Sequence, residues 1–274
     1  MSVGRELRMG RLFNAKSGRM LLATIDHGIC VRPMMEIADV PAVVRQVVEG
    51  GADAVLLTPG IAKQAYRELA GKASLMVRID GTATSIGPDL TNDELICSVE
   101  AASALGADAV ATFGVIGVAR EAQLSRKIGQ VTEQCERLGM PQLTEMIPAS
   151  IIEHQFVDRA ERKWPADAEV ISFSARVAAE LGADIVKGYY TGDAESFRAV
   201  IRYCPVPYVV LSGPAAGDPE VLLRFVREAM DCGAAGVSMG RNLWTADDPV
   251  ATTRAVARIV HDDASVEEAA KEIG

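Results

Sequence analysis

The sequence predicts a single-domain (β/α)8 barrel over residues 1–274, and a repeated segment is the main reason. Segments of the Gly-Ala-Asp type at Gly51, Gly106 and Gly182, and a related one at Gly233, follow amphipathic helical stretches and open short β-branched runs. Glycine at such a point ends a helix in the left-handed conformation, and the hydrophobic period then changes from helix to strand. The intervals between these glycines each suit two βα units of about 30 residues. The length of 274 residues also fits this barrel, whose usual size is about 250 residues.

Eight strands follow in order from this pattern. Four begin in the repeats, and apolar runs at 20–25, 75–79, 141–146 and 207–211 supply the other four. Strands that alternate with helices imply a parallel sheet. A doubly wound open sheet is the alternative, but no Gly-x-Gly-x-x-Gly follows the first strand, so the barrel is favoured.

Start signals mark three of the helices. Asp39 and Asp218 are cap residues with a proline in the helical turn that follows, a common way for a helix to begin. Thr91 with Glu94 predicts a capping box ahead of a helix over 95–105.

Three segments lie outside the repeating units. Residues 1–18 form a lead-in to the barrel. Residues 247–274 form a helical tail with apolar residues at helical spacing, which either closes the barrel or packs against a neighbouring subunit. The charged stretch 153–165 is interpreted as a mobile lid or as a solvated helix and loop.

Composition indicates a soluble cytoplasmic protein. Hydrophobic residues make up 49% and charged residues 24% of the chain, without an 18-residue apolar run or a signal peptide. The five cysteines are scattered, which suits a reducing compartment. The net charge of −9 argues against a nucleic-acid partner, and three histidines are few for a metal-dependent lyase. We therefore expect no metal, no cofactor and no membrane partner.

Lys187 is the candidate nucleophile. It lies in the apolar run Ile185-Val186-Lys187-Gly188, which predicts a buried strand that carries one amine. Burial disfavours the ammonium form and lowers the pKa of a lysine, so the amine is free to form a Schiff base with a carbonyl substrate. The alternatives are a side chain that projects to solvent, or one that Glu145 holds charged and idle.

Other polar residues follow predicted strand ends, where a (β/α)8 barrel carries its chemistry. Asp26, Glu145 and Tyr189 are candidate acid–base groups. Tyr189 shares a strand face with Lys187, and simple packing is its alternative role. His27 is a candidate substrate ligand beside Asp26.

The exits of strands seven and eight predict a phosphate site, because the loops there bind phosphate in many such barrels. Ser212 supplies a hydroxyl, and Gly213 and Gly240 allow close approach of backbone N–H groups. Arg241 adds a guanidinium that matches phosphate oxygens. The alternatives are glycines that serve only the turn and an arginine that caps a helix or pairs with another subunit.

Four short motifs, taken together, resemble a known family. Asp26-His27-Gly28, the strand-six lysine with its Tyr-Thr-Gly-Asp, Ser-Gly after strand seven and Met-Gly-Arg-Asn after strand eight are similar to those of archaeal-type class I fructose-bisphosphate aldolases. These belong with the deoxyribose-phosphate type of Schiff-base aldolase. The resemblance implies homo-oligomers such as decamers, in which Lys187 forms an imine with a ketose phosphate and Asp26 orients substrate hydroxyls. It also implies that the last two strand exits hold the phosphate.

Two departures from the family affect the expected chemistry. Family members usually carry a tyrosine proton donor in a Tyr-Pro-Arg-like run, and Ile147 stands in its place; Pro214 also removes an N–H donor from the phosphate loop. The predicted function is a class I aldolase-type lyase for a small phosphorylated keto sugar. The alternatives are a thiolase-like branch that transfers an acyl group from a phosphorylated diketone to coenzyme A, a branch that makes aminodideoxyheptulosonate, and a non-catalytic sugar-phosphate-binding protein.

Overall fold

The structure, a computed structural model, describes residues 2–31, 34–151, 167–212 and 218–274. The strands within these ranges form one closed parallel barrel in chain order, so the predicted fold is confirmed. The eight strands are β1 Met20–Thr24, β2 Ala54–Leu57, β3 Ser74–Arg78, β4 Ala109–Ile116, β5 Gln142–Pro148, β6 Ile185–Gly188, β7 Tyr208–Leu211 and β8 Gly236–Met239.

Helices surround the barrel, and the longer ones connect successive strands. Those in the described ranges are α1 Val3–Leu12, α2 Val40–Glu49, α3 Pro59–Leu69, α4 Val99–Ala104, α5 Glu121–Leu138, α6 Ala168–Glu180, α7 Ala194–Tyr203, α8 Pro219–Asp231, α9 Arg241–Trp244, α10 Pro249–Asp262 and α11 Val266–Ala270. Short 3-10 turns at His27–Ile29 and Met35–Ile37 follow β1.

The four repeat glycines end helices as predicted. Gly51, Gly106, Gly182 and Gly233 have φ values of 101°, 86°, 99° and 94°. Side chains disfavour this conformation, so glycine is the natural residue where a helix turns back toward the next strand. The repeated Gly-Ala-Asp segments therefore mark the turn from helix to strand, which recurs in the connections of the barrel.

The core has two layers. Inward-facing apolar side chains of the strands fill the barrel, and outward-facing ones pack under the helices. Helix α1 closes the N-terminal end, where Leu12 is fully buried in the inner layer. Arg5 on the same helix lies 2.6 Å from a carboxylate oxygen of Glu136 and thereby ties the lead-in to α5. This leaves the opposite end of the barrel, at the carboxyl ends of the strands, for a site.

Two of the three predicted helix starts are confirmed. The side chain of Asp39 accepts a hydrogen bond from the Ala42 amide at 3.1 Å. Asp218 accepts one from the Glu220 amide at 2.9 Å. The predicted tail forms α10 and α11, which pack against α8 within the chain, and α10 also packs against α2 and β1.

The predicted capping box at Thr91 and Glu94 is wrong. Helix α4 begins at Val99, with Ser98 as its cap, and the Thr91 hydroxyl binds Asp89 instead. The chain before the helix is held to the end of β3, because the amides of Ile96 and Cys97 both donate to the Ile79 carbonyl. Tertiary pairing thus overrides a local start signal. The stretch 153–165 lies outside the described residues.

None of the described helices is long and apolar enough to cross a membrane.

Candidate active site

A cavity opens at the carboxyl ends of the strands and brings together most of the residues that the sequence singled out. Gly240 is not among its lining residues, and Gly213 lies outside the described ranges. The predicted residues that line it are Asp26, His27, Glu145, Lys187, Tyr189, Ser212 and Arg241.

Lys187 lies on the wall of this cavity and is paired. It is 5% exposed, so it does not project to solvent. The register of β5 and β6 places it directly beside Glu145, and its Nζ donates to Glu145 Oε2 at 3.0 Å. The sequence analysis gave an ion pair between Lys187 and Glu145 as an alternative, and the structure contains this ion pair. Glu145 Oε2 is thus in position to accept a proton from this amine.

Arg78, at the end of β3, connects the carboxylates of the site. Its Nε donates to Asp26 Oδ2 at 2.9 Å, and its Nη2 donates to Glu145 Oε2 at 2.7 Å. The residue is 7% exposed and lines the cavity. Sequence reasoning did not select it, although it shares the signal that identified Lys187: one cation at the end of an apolar strand.

The charges around Asp26 and Glu145 keep both carboxylates ionised. Burial alone would raise the pKa of Asp26, but Arg78, His27 and Lys187 outweigh it and lower that pKa to about 2. Burial also opposes ionisation of Glu145, and Lys187 and Arg78 leave its pKa lowered. A buried carboxylate that stays ionised can act as a proton acceptor.

A second group of charges lies behind Arg78. Asp80 is fully buried, and its Oδ2 accepts from the Phe113 amide at 2.7 Å and lies 2.8 Å from Lys127 Nζ. Lys127 also lies 3.5 Å from Asp93 Oδ2. Burial raises the pKa of Asp80, although Lys127 opposes the shift. Asp80 and Asp93 line the cavity, so its wall on the β3 side is rich in carboxylates.

His27 packs at the rim of the cavity, between Asp26 and the indole ring of Trp244. Its ring meets Trp244 edge-on with centroids 5.6 Å apart, and its Nδ1 lies 3.8 Å from Asp26 Oδ1. Burial lowers the pKa of His27 to about 4, and the attraction of Asp26 does not offset it. The imidazole is therefore neutral near pH 7.

The exits of β7 and β8, where the sequence predicts a phosphate site, contact each other. The amide of Gly240 donates to Ser212 Oγ at 3.1 Å, so in this structure that N–H serves the contact between the two loops. A Cβ at Gly240 would lie 2.5 Å from His27 Cε1 and 2.7 Å from Thr24 Oγ1, which explains the glycine. Arg241 opens α9 and lines the cavity beside Ser212.

Tyr189 and Ile147 are both buried, but only Tyr189 lines the cavity. The Tyr189 carbonyl accepts from the Tyr208 hydroxyl at 2.8 Å, which holds the backbone after β6 in place. Ile147 belongs to the hydrophobic core, and its side chain has no group that can transfer a proton.

In the described part of the chain, no three His, Cys, Asp or Glu side chains are grouped so as to hold a metal ion.

Comparison with known proteins identifies the family. The profile of the DeoC/LacD family aldolases matches residues 20–246. The chain belongs to this family. The resemblance found in the sequence is thus confirmed, and the DeoC/LacD profile spans the whole barrel, from β1 to just beyond α9.

Two curated relatives of this DeoC/LacD aldolase family member carry the same name. The 2-amino-3,7-dideoxy-D-threo-hept-6-ulosonate synthase of Halobacterium salinarum is 35% identical over 273 residues, which covers 99% of this chain and 97% of the relative. Synthase 1 of that name from Archaeoglobus fulgidus is 36% identical over 266 residues, covering 97% and 94%.

A solved archaeal fructose-1,6-bisphosphate aldolase has a similar structure. Its TM-score is 0.82 at 27% identity, covering 94% of this chain and 99% of that one. In that crystal structure the catalytic lysine is covalently bound to the carbinolamine intermediate of the substrate.

Proposed function

We propose that this family member is a class I aldolase that forms or cleaves a carbon–carbon bond in a small phosphorylated keto compound through an imine on Lys187. The observation that carries the proposal is the placement of Lys187. Its buried amine lies in the cavity at the carboxyl ends of the strands, 3.0 Å from Glu145 Oε2. A barrel of this kind carries its chemistry at that end.

The first step is proton transfer from Lys187 to Glu145. The neutral amine then attacks the carbonyl carbon, and loss of water leaves an iminium. The iminium withdraws electrons from the neighbouring bond and so stabilises the carbanion-like transition state when that bond breaks or forms. The carbinolamine on the lysine of the similar archaeal aldolase supports this sequence.

We assign the remaining proton transfers to carboxylates, because Ile147 stands where archaeal-type class I aldolases usually carry a tyrosine proton donor. Glu145 is nearest to the amine, and Asp26 is linked to it through Arg78. Both are held ionised by neighbouring cations. We assign the acid–base role to Glu145 first and to Asp26 second.

The phosphate end of the substrate is assigned to Ser212 and Arg241. Both line the cavity, on the side of β7 and β8, and Arg241 supplies positive charge in a chain of net charge −9. The names of the two synthases favour a heptulosonate-type product over a simple hexose bisphosphate. The predicted homo-oligomer remains a prediction, which sedimentation velocity would test.

Borohydride trapping tests the imine directly. The protein is incubated with dihydroxyacetone phosphate or a ketose phosphate, reduced, and mapped by peptide mass spectrometry. We expect an adduct on Lys187 that is absent in Lys187→Ala and present in Lys63→Ala, a matched exposed lysine. A folded wild-type protein that gives no adduct with any phosphorylated ketone would overturn the proposal. Turnover that requires added coenzyme A would indicate acyl transfer instead.

A further inference from the structure

A buried lysine in the outer layer of helices reaches the charged wall of the cavity. Lys127 lies on α5 and is 4% exposed. Its Nζ lies 2.8 Å from Asp80 Oδ2 and 3.5 Å from Asp93 Oδ2, and both of these carboxylates line the cavity. Burial of a cation costs free energy even when the cation is paired, so the position of Lys127 calls for an explanation.

Contacts connect Lys127 to the proposed nucleophile through groups of alternating charge. Asp80 stands between Lys127 and Arg78, whose Nη1 lies 3.6 Å from Asp80 Oδ1. Arg78 Nη2 donates to Glu145 Oε2 at 2.7 Å, and Lys187 Nζ donates to the same oxygen at 3.0 Å. Opposite charges therefore meet at every step from α5 to the amine that forms the imine.

Three carboxylates share the guanidinium of Arg78. It binds Asp26 at 2.9 Å and Glu145 at 2.7 Å, and Asp80 is the third, at 3.6 Å. Each ionised carboxylate weakens the positive field that the guanidinium exerts on the other two. When Asp80 is neutral, more of the charge of Arg78 acts on Glu145. Glu145 then holds a proton less well and becomes a weaker base.

The charge of Asp80 depends on the groups that face it. Burial raises the pKa of Asp80, and Lys127 on α5 is the strongest influence against this shift. Asp93, in the loop between β3 and α4, adds to the shift, and Arg78 on β3 opposes it. The Phe113 amide on β4 donates to Asp80 Oδ2 at 2.7 Å, which also favours the ionised form. Lys127 is thus the main cation that keeps this buried carboxylate charged.

We propose that Lys127 is a positioning residue for imine formation, which keeps Asp80 charged and thereby leaves Glu145 a competent base. Asp80 acts by holding part of the guanidinium charge of Arg78. This inference rests on the proposed function, in which Glu145 accepts the proton of Lys187. Lys127 itself touches no reacting group and works through Asp80.

The pH dependence of imine formation tests this role in Lys127→Met. Initial rates of cyanoborohydride trapping on Lys187 with dihydroxyacetone phosphate are measured from about pH 5.5 to about pH 9. The ratio of variant to wild-type rate at each pH cancels the effects of pH on the ketone and the reductant. We expect the variant to be about 3- to 30-fold slower at the acid end, where Asp80 has taken a proton. The ratio should rise toward 1 at the alkaline end, where Asp80 is ionised again.

Asp80→Asn assigns the change with pH to Asp80. The amide is neutral at every pH and still offers an oxygen to the Phe113 amide. We expect Asp80→Asn to show the slow rate throughout the range. Addition of Lys127→Met to Asp80→Asn should slow the reaction by no more than about 2-fold further, because both changes remove the same interaction.

Arg5→Met is the matched control. Arg5 is 5% exposed and lies 3.2 Å from Asp184 Oδ1, at the opposite end of the barrel. Burial raises the pKa of Asp184, and Arg5 opposes the shift. Arg5→Met therefore also takes the cation from a carboxylate with a raised pKa, but its rate ratio should not change with pH.

The outcomes separate this role from a structural one and from the proposed function. A Lys127→Met ratio that is the same at every pH, as for Arg5→Met, would overturn the positioning role while the imine chemistry stands. Absence of any adduct on Lys187 in wild-type protein would overturn the proposed function and this role together. If Lys127→Met does not fold, Asp80→Asn carries the test alone, and a wild-type rate in that variant would overturn the role.

Discussion

Replacement of Arg78 by methionine should lower the stability of the protein in a pH-dependent way. The change removes the cation that binds Asp26 and Glu145 at 2.9 and 2.7 Å and leaves two buried carboxylates near Lys187. Removal of one partner from a buried ion pair typically costs about 3–5 kcal/mol. The low pKa of Asp26, about 2 against an ordinary 3.8, corresponds to about 2 kcal/mol for that carboxylate at neutral pH. We therefore expect a loss of about 3–5 kcal/mol near pH 8.

The loss should shrink as the pH falls. In the wild type the lowered pKa of Asp26 contributes stability above pH 3.8, and this contribution is lost only as the pH falls through about 2. In Arg78→Met one of the cations that offset burial is gone, so we expect the pKa values of Asp26 and Glu145 to be raised. A carboxyl group with a raised pKa binds its proton more tightly in the folded state, so the variant gains stability as the pH falls through that pKa.

Urea unfolding followed by circular dichroism, at about pH 8 and about pH 5, measures this difference. Arg45→Met is the control, because Arg45 is 52% exposed and pairs with Glu68 on the surface, where solvent screens the contact. An Arg78→Met deficit of equal size at both pH values, or one no larger than that of Arg45→Met, would refute the electrostatic role of Arg78.

Three further changes test single features of the site. Glu145→Gln should slow imine formation by about 100- to 10,000-fold in a time course of borohydride trapping, since the general base is lost; an unchanged rate would exclude it as the base. The wild type should lose up to about 3 kcal/mol between pH 6.5 and about 4, because unfolded His27 takes a proton there and folded His27 does not; His27→Asn should lack this loss in pH-dependent unfolding. Gly240→Ala should lower stability by about 1–3 kcal/mol, because its Cβ would lie 2.9 Å from the Thr24 carbonyl oxygen. Gly129→Ala, where nothing lies within 4 Å, should raise the melting temperature instead.

The fold could be predicted because its signals are local. A barrel of parallel strands needs a helix end and a strand start in every connection, and Gly182 with the run after it carries both signals in a few residues. The cap residue Asp39 is equally local, since it binds an amide three positions on. The prediction at Thr91 was wrong for the opposite reason. Asp80 pairs with Leu95, and the amides of Ile96 and Cys97 bind the Ile79 carbonyl just after β3. A four-residue motif does not show partners that are distant in the sequence.

Site residues could be predicted from the sequence only where they lie at the ends of predicted strands. Asp26 follows an apolar run and Lys187 lies near the end of one, so their common location follows from the rule that carboxyl ends of barrel strands meet. Glu145 was placed at the predicted end of strand five, but it lies within β5, which continues to Pro148. The pairing of Lys187 with Glu145 depends on register, which the sequence does not specify. Lys127 could not have been selected, because it lies on α5 and reaches the site through Asp80 and Asp93.

The position of Arg78 shows how the barrel interior permits the charge network. Arg78 on β3 reaches Glu145 on β5, and β4 stands between these two strands. The β4 residue beside Arg78 in register is Ala111, which faces the inner layer with only a methyl group. The β4 residue in register with Glu145 is Phe113, which lines the cavity. A small residue at Ala111 leaves the inner face open beside Arg78, so its side chain can turn toward a carboxylate two strands away.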